Sequence, residues 1–262
     1  MTARYWVDLT VEEFRAVDRD RAIAVLPVGA TEQHGPHLPL SVDSDLAAAV
    51  LDAAIPAIDP NLDILILPMQ AIGRSIEHED FPGTLSLSAE TLIRLWTEIG
   101  QGVARAGIRK LVIFNGHGGN VSAMDIVARD LRAAHGMLTA HTSWYALAEA
   151  EGVLDADELT HGIHGGALET SAMLAIRDAA VRQDQLARFP SAGEEWAKRN
   201  RFVGVGGKPV KLGWLMRDLN PQGAAGDALA ADAETGRRLI ARAASNFAVF
   251  LSEFDGMAPP SR

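Results

Sequence analysis

Residues 23 to 45 of this chain read Ile23-Ala-Val-Leu-Pro-Val-Gly-Ala-Thr-Glu-Gln-His-Gly-Pro-His-Leu-Pro-Leu-Ser-Val-Asp-Ser-Asp. The first six residues form an apolar run of strand length, and the polar side chains begin after it ends. The loop that follows carries Glu32, His34, His37, Asp43 and Asp45. Open α/β sheets bind ligands just beyond the carboxyl ends of their strands, so this stretch predicts both an α/β fold and the place of its functional site.

The acids and histidines of this loop suit a metal ion. Glu32 and His34 are two positions apart, so in an extended segment their side chains leave on the same side, and the loop can fold back to bring Asp43 opposite them. Mixed carboxylate and imidazole ligands suit zinc, manganese or iron, and a carboxylate can bridge two such ions. A structural alternative is that Asp43 caps the helix that follows. The loop by itself does not decide between these interpretations.

Composition excludes several classes of protein. A chain of 262 residues with 48% hydrophobic and 22% charged residues is typical of a folded globular protein. A formal net charge of −10, with no basic run, argues against a nucleic-acid or anionic-membrane partner. Because cysteine is absent, any metal must be held by His, Asp and Glu. Residues 1–18 lack the apolar core of a secretory signal, and no apolar stretch reaches the roughly 18 residues of a membrane span, so we expect a cytoplasmic protein.

A unit of strand, polar loop and helix recurs along the chain. Strands are predicted at residues 23–28, 61–68, 110–114 and 137–144. Helices are predicted from Val121 to a stop at Gly136, from His161 through Ile176 and, as a last amphipathic helix, at 231–254. This order predicts one three-layer α/β/α domain with a mainly parallel sheet, spanning residues 1–262. Residues 182–227 show the least periodicity. A long segment of that kind is usually an active-site cover or an oligomer contact.

Histidines are concentrated in a few places. Six of the eight lie in four glycine-rich segments, three of which directly follow predicted strands; these are His34, His37, His78, His117, His161 and His164. Strand-end loops of one parallel sheet meet at one edge, so these side chains can converge although they are far apart in sequence. This clustering favours the metal interpretation of the loop at Glu32.

Some of these residues have competing interpretations. The glycine loop at 115–120, between a strand and a helix, could cradle a phosphate, but it lacks the G-x-G-x-x-G spacing. Trp144 belongs by residue type to a core, whereas its place at a strand end allows a pocket wall. His37 can be a loop hydrogen-bonding residue or an active-site contact, and His78 can be a surface residue or a pocket residue.

Five segments together resemble the creatininase (creatinine amidohydrolase) family. In order, they are Glu32-Gln-His-Gly-Pro-His, Asp43, Phe81-Pro-Gly-Thr, Asn115-Gly-His-Gly-Gly-Asn and His164-Gly-Gly-Ala-Leu-Glu-Thr-Ser. The resemblance implies a three-layer α/β/α enzyme, often a hexamer, with two divalent metal ions: Zn²⁺ first, Mn²⁺ or Fe²⁺ as alternatives. It implies that Glu32 and His117 bind one ion, His34 binds the other and Asp43 bridges them. It also implies that His164 is the acid/base histidine.

The chain departs from creatininase in two places. Creatininase has a glutamate ligand two residues after the loop histidine, where this chain has Gly119. The nearest substitute is Glu169, which we predict to be both a ligand and a catalytic residue. Creatininase also holds its substrate with a tryptophan and acids just before the acid/base histidine, where this chain has Thr160, His161 and Ile163. We therefore expect a substrate other than creatinine.

The resemblance implies an amidohydrolase that cleaves a non-peptide C–N bond in a cyclic or other small amide. A water between the two ions would attack the carbonyl group, and His164 would protonate the leaving nitrogen. The predicted substrate-binding residues are Ser75, His78, Gly118, Gly119, Trp144 and His161. The alternatives are a formamide deformylase or a peptide-trimming hydrolase on the same centre and, from another class, a non-catalytic nucleotide- or metal-binding oligomer.

Overall fold

Five parallel strands form the central sheet. The computed structural model describes residues 3–258, so the ends of the predicted domain, residues 1–2 and 259–262, lie outside the described residues. The strands are β1 (Arg4–Tyr5), β2 (Ile23–Val28), β3 (Ile64–Ile66), β4 (Lys110–Asn115) and β5 (Leu138–Ser143). Their order is β1-β3-β2-β4-β5, and every neighbouring pair is parallel. The predicted α/β class with a mainly parallel sheet is confirmed.

Helices connect and cover the strands. They are α1 (Val11–Arg15), α2 (Val42–Ala54), α3 (Ala89–Arg105), α4 (Val121–His135), α5 (Trp144–Leu147), α6 (Ala156–His161), α7 (Ala167–Arg177), α8 (Ala192–Arg199), α9 (Met216–Leu219) and α10 (Ala233–Asp255). Short 3-10 turns lie at Trp6–Asp8, Ile55–Ala57, Ile76–His78, Gly118–Asn120, Asp178–Ala180, Gln183–Gln185 and Ala228–Ala230. Among residues 3–258, no helix is both long and apolar enough to span a membrane.

Both faces of the sheet are covered because its central strands are apolar on both sides. Successive residues of a strand point to opposite faces. Ile23 and Val25 belong to a buried cluster with residues of α2, α7 and α10. Ala24 and Leu26 belong to a second cluster with residues of α3 and α4. The sheet is therefore the middle one of three layers.

The structure differs from the predicted elements in three places. Strand β1 was not predicted, because two residues are too few to show a hydrophobic periodicity. The helix predicted to open at His161 begins only at Ala167, since Gly165 adopts a left-handed φ of +63° and interrupts it. The cap of α2 is Ser41, and Asp43 lies in the first helical turn. The alternative reading of Asp43 as a helix cap is therefore wrong.

Residues 182–227 form an irregular layer beside the strand ends. Besides α8 and α9 it contains short strands: β6 (Arg188–Phe189) pairs antiparallel with β9 (Gly226–Asp227), and β7 (Val203–Gly204) pairs parallel with β8 (Val210–Lys211). Ala225 and His164 exchange two backbone hydrogen bonds, of 2.8 and 3.2 Å. This layer is therefore tied to the loop that carries His164.

Candidate metal centre

The loop after β2 folds back on itself and brings three ionisable side chains together. The Glu32 amide donates to the Leu40 carbonyl at 3.1 Å, and His34 forms a bridge with Leu38. Asp43 then enters from the first turn of α2, with its Oδ1 3.4 Å from His34 Nε2. Glu32, His34 and Asp43 are all almost completely buried.

The loop after β4 adds His117. Asn115, at the strand end, stabilises this loop: its Oδ1 accepts from the His117 amide at 3.0 Å, and its Nδ2 donates to the His117 carbonyl at 2.6 Å. The imidazole Nδ1 then lies 3.3 Å from Glu32 Oε1 and 3.4 Å from Asp43 Oδ2. The loop that could have cradled a phosphate instead turns its histidine towards two carboxylates.

These residues form overlapping groups that could hold metal ions. Glu32, Asp43 and His117 make one group, and His34, Asp43 and Glu169 make another, each with ligand atoms within 4.8 Å of one another. Asp43 belongs to both, through different oxygens. Glu32, His34 and His164 form a further group of the same kind.

Hydrogen bonds to backbone carbonyls orient two of the imidazoles. His34 Nδ1 lies 3.1 Å from the Glu32 carbonyl, and His117 Nε2 lies 2.9 Å from the Arg74 carbonyl. A carbonyl only accepts, so these nitrogens carry the proton of the neutral rings. The opposite nitrogen of each ring, which faces the acids, is left free for an ion.

Unpartnered atoms show that a cation fits this centre. Four buried atoms of the cluster have no hydrogen-bond partner within residues 3–258, namely Glu32 Oε1, Glu32 Oε2, His34 Nε2 and Asp43 Oδ2. Leaving buried polar atoms unpaired costs about 1–3 kcal/mol each. Divalent cations would satisfy all four, because each atom is a lone-pair donor of a type that zinc, manganese or iron accepts.

Electrostatic coupling shifts the pKa values at this centre. Burial lowers the pKa values of His34 and His117, but the effect of the nearby carboxylates is larger. They raise the pKa of His34 to about 9 and that of His117 to about 10. Burial raises the pKa of Glu32, yet the imidazoles around it bring that pKa well below the ordinary value. Burial, with Glu32 nearby, raises the pKa of Asp43. Burial also raises the pKa of Glu169 to about 7.

His164 and His78 stack beside the carboxylates. The ring of His164 lies between those of His34 and His78, with centroids 4.1 Å apart on either side. Its Nε2 donates to the Gln33 carbonyl at 2.7 Å. Burial lowers the pKa of His164 well below its ordinary value and that of His78 to about 4. Both rings are therefore neutral at neutral pH.

The cluster forms the floor of a cavity of about 540 Å³. Of the predicted residues, those that line it are Glu32, Asp43, His78, His117, Gly118, Gly119, His164 and Glu169. The rest of the wall had not been assigned to the site from the sequence. It includes Glu77, Tyr145, Leu159, Ile163, Leu168, Val205 and Trp214. Val205 and Trp214 belong to the irregular layer, where the sequence has no periodic pattern from which their position could be predicted.

Three predicted substrate-binding residues are not at the wall of this cavity. Trp144 is fully buried in the core because α5 begins at this residue, and its neighbour Tyr145 faces the cavity instead. Ser75 lies behind His117, with its Oγ 3.4 Å from the ring Nε2. His161, at the end of α6, lines two smaller cavities. The structure therefore does not bring these three residues to the wall of this cavity.

His37 is also away from the cavity wall. Its ring is buried, stacks on Phe189 with centroids 5.2 Å apart, and its Nε2 lies 3.0 Å from Thr170 Oγ1. Burial lowers its pKa to about 4, so the ring is neutral. Of the two interpretations, the structure matches a hydrogen-bonded loop residue.

Gly119 has no room for a side chain. A Cβ at this position would lie 2.3 Å from the Arg74 carbonyl oxygen and 2.4 Å from His117 Nε2. A glutamate at 119 would therefore need the backbone to move. Glu169, by contrast, has its Oε2 3.9 Å from His34 Nε2 and accepts from the Gly165 amide at 2.7 Å.

Comparison with known proteins finds related proteins over most of this chain. A family model described as creatinine amidohydrolase matches residues 7–251. The chain is 36% identical over 223 residues to the mycofactocin precursor peptide peptidase of Mycobacterium ulcerans, covering 83% of this chain and 79% of that protein. It is 32% identical over 203 residues to the creatinine amidohydrolase of Pseudomonas putida, covering 71% of this chain and 76% of that protein.

A solved structure named "Creatininase Mn" superposes with a TM-score of 0.76 at 27% sequence identity, over 97% of this chain and 100% of that chain. Sequence and structure thus agree over nearly the whole length of the chain. The chain belongs to the creatininase family.

Proposed function

We propose that this protein uses two divalent metal ions to hydrolyse an amide C–N bond. The observation that carries the proposal is the position of Asp43 at the cavity floor. Its Oδ1 lies 3.4 Å from His34 Nε2, and its Oδ2 lies 3.4 Å from His117 Nδ1. A carboxylate with one oxygen towards each histidine suits a bridge between two ions.

The chain's own residues divide between the two ions. Glu32 and His117 would hold one, His34 and Glu169 the other, and Asp43 would bind both. Zinc and manganese both suit these donors, with iron as a further candidate. Two such ions supply a Lewis acid for the amide carbonyl and lower the pKa of water.

His164 is the proposed acid/base residue. Its Nε2 proton is engaged by the Gln33 carbonyl, so Nδ1 is the free acceptor, 3.7 Å from Glu32 Oε1 and at the cavity wall. A neutral imidazole can take a proton at Nδ1 from the attacking water and return it to the leaving nitrogen. The low pKa of the buried ring keeps it in the accepting form before the reaction.

The size of the cavity favours a peptide end as the substrate. About 540 Å³ is much more than a single small ring fills, and Leu159, Ile163 and Leu168 give it an apolar wall suited to a side chain. The relatives named mycofactocin precursor peptide peptidase support the same class. Val205 and Trp214 at the wall support a role for residues 182–227 as the cover.

A small amide with a non-peptide C–N bond is the second candidate. It is favoured by the relative named creatinine amidohydrolase, which aligns with 71% of this chain at 32% identity. The two candidates differ in how much of the cavity they occupy. Removing apolar bulk from the wall with Trp214→Ala should therefore weaken a peptide substrate much more than a small ring.

Metal analysis combined with turnover tests the proposal. The wild type, loaded with Zn²⁺ or Mn²⁺, should hold about two ions per chain and cleave a member of a panel of short peptides, cyclic amides and formamides followed by mass spectrometry. Asp43→Ala should lose both ions and all turnover. Asp45→Ala is the matched control, because Asp45 pairs with Arg177 outside the groups described above. Turnover by the metal-free wild type would refute the proposal.

A further inference from the structure

Four imidazoles surround one oxygen of Glu32. The distances to Oε1 are 3.3 Å from His117 Nδ1, 3.5 Å from His78 Nε2, 3.7 Å from His164 Nδ1 and 3.9 Å from His34 Nε2. A neutral imidazole has one N–H and one lone pair, and the partner of the far nitrogen decides which of them faces the oxygen. The hydrogen bonds therefore assign each ring.

In their neutral forms, three of the four rings direct a lone pair towards Glu32. Their far nitrogens lie against backbone carbonyls: His34 at 3.1 Å from Glu32, His117 at 2.9 Å from Arg74, and His164 at 2.7 Å from Gln33. Each of these nitrogens therefore donates. His164 Nε2 also lies 3.3 Å from Gln33 Nε2, but the Gln33 carbonyl at 2.7 Å is the nearer partner and can only accept. None of the three rings, in its neutral form, can donate a hydrogen bond to the Glu32 carboxylate.

His78 is the exception, because its far nitrogen faces a side-chain amide. Gln33 Oε1 accepts from the Gly35 amide at 2.9 Å, which turns the Gln33 Nε2 group towards His78 Nδ1 at 2.7 Å. An amide nitrogen only donates, so His78 Nδ1 must accept. The proton of His78 is then on Nε2, directed at Glu32.

The backbone N–H of Gly35 fixes the orientation of the Gln33 amide. The side chain is only 6% exposed. A flip of the amide would set its NH₂ group against the Gly35 N–H, so the hydrogen bond from Gly35 would be replaced by two donors facing each other. Gly223, in the irregular layer, packs so closely that a Cβ there would lie 2.1 Å from Gln33 Oε1.

We infer that Gln33 is a positioning residue that holds His78 in its Nε2–H tautomer, so that the N–H, 3.5 Å from Glu32 Oε1, faces the carboxylate and His78 is not a metal ligand. The proposed function enters only where Glu32 binds an ion. There, the N–H of His78 would orient the carboxylate, and loss of such a partner typically weakens metal binding about 10–100-fold.

Nitrogen NMR of the zinc-loaded protein with labelled histidine tests the tautomer directly. The imidazole signals that disappear in His78→Gln identify His78. We expect a protonated Nε2 and an accepting Nδ1 in the wild type. Gln33→Glu, which puts an acceptor at the same place, should move the proton to Nδ1. A protonated Nδ1 or a zinc-bound Nε2 in the wild type would overturn the inference.

Metal titration against a chelator tests the consequence. Gln33→Met and His78→Gln should both keep two zinc ions per chain but bind them about 10–100-fold more weakly, whereas the exposed Gln185→Met should match the wild type. Loss of a whole equivalent in His78→Gln would make His78 a ligand and overturn the inference. If the wild type binds no metal, the proposed function fails. The tautomer remains measurable in the metal-free wild type and decides the inference alone. If His78→Gln does not fold, sequential backbone assignment of the wild type identifies the His78 ring instead.

Discussion

Metal uptake at pH 7 should release about two and a half protons per chain. In the metal-free protein, the pKa values of about 9 for His34 and about 10 for His117 mean that both rings carry a second proton at pH 7. Glu169, with a pKa of about 7, is half protonated. Ligands must lose these protons to bind an ion. His34 and His117 should therefore each release about one proton, and Glu169 about half of one.

The same protons set the pH dependence of affinity. At pH values below about 9, both histidine protons must be displaced before the two sites can fill. Each fall of one pH unit should therefore weaken the combined affinity of the two sites by roughly 100-fold, or about 2.7 kcal/mol. Zinc affinity should therefore fall steeply from pH 8 to pH 7, and more steeply below pH 7 as Glu169 becomes protonated.

Calorimetric titration in two buffers of different protonation enthalpy, at one pH, measures the protons released. His141→Asn is the matched control, because this half-buried histidine lies outside the metal groups and should leave the release unchanged. A release of less than one proton, or an affinity that does not change between pH 8 and pH 7, would show that the histidines are not held in their charged form by Glu32 and Asp43.

Three further predictions concern stability and packing. The raised pKa values of His34 and His117 stabilise the metal-free fold, and this contribution is fully present below the unfolded histidine pKa of roughly 6.5. The urea midpoint of the metal-free protein should therefore fall as the pH rises from there through about 9 to 10. A midpoint that does not change with pH would contradict the coupling of these histidines to the carboxylates. Gly119→Ala should cost about 1–3 kcal/mol in urea denaturation and weaken zinc binding, whereas Gly118→Ala, with open space around it, should do neither. Glu158 accepts from the Ala167 and Asp227 amides with different oxygens, and a Gln side chain can keep only one of these bonds. Glu158→Gln should therefore cost about 1–3 kcal/mol in the same assay, and the exposed Glu151→Gln should cost nothing.

Regular elements were predictable where a local pattern is enough to define them. Strand β2 was predicted at its observed bounds, because six consecutive apolar residues are buried on both faces of a parallel sheet. Helix α4 ends where expected, since Gly136 adopts a φ of +66° that suits a helix end. Short elements such as β1 and α9 carry too few residues for such a pattern.

The side chains that gather at the strand ends were also predictable in part. Acids and histidines in loops after neighbouring parallel strands have to meet at one edge, and the structure brings Glu32, His34, Asp43 and His117 together there. The choice between Trp144 and Tyr145 as the wall residue was not predictable. It depends on α5 starting at Trp144, a change of direction that the residue types do not reveal.

The sequence by itself thus determined the class of fold, the edge of the sheet that carries the chemistry and the kinds of atom available to a metal. These follow from periodicity and from residue type, which are local properties. Only the tertiary structure decided which cavity wall the irregular layer supplies, why position 119 must be glycine, and which nitrogen of His78 carries the proton. Each of these depends on atoms within about 4 Å that are distant in the chain, such as Gly119 beside Arg74 and Gln33 beside His78.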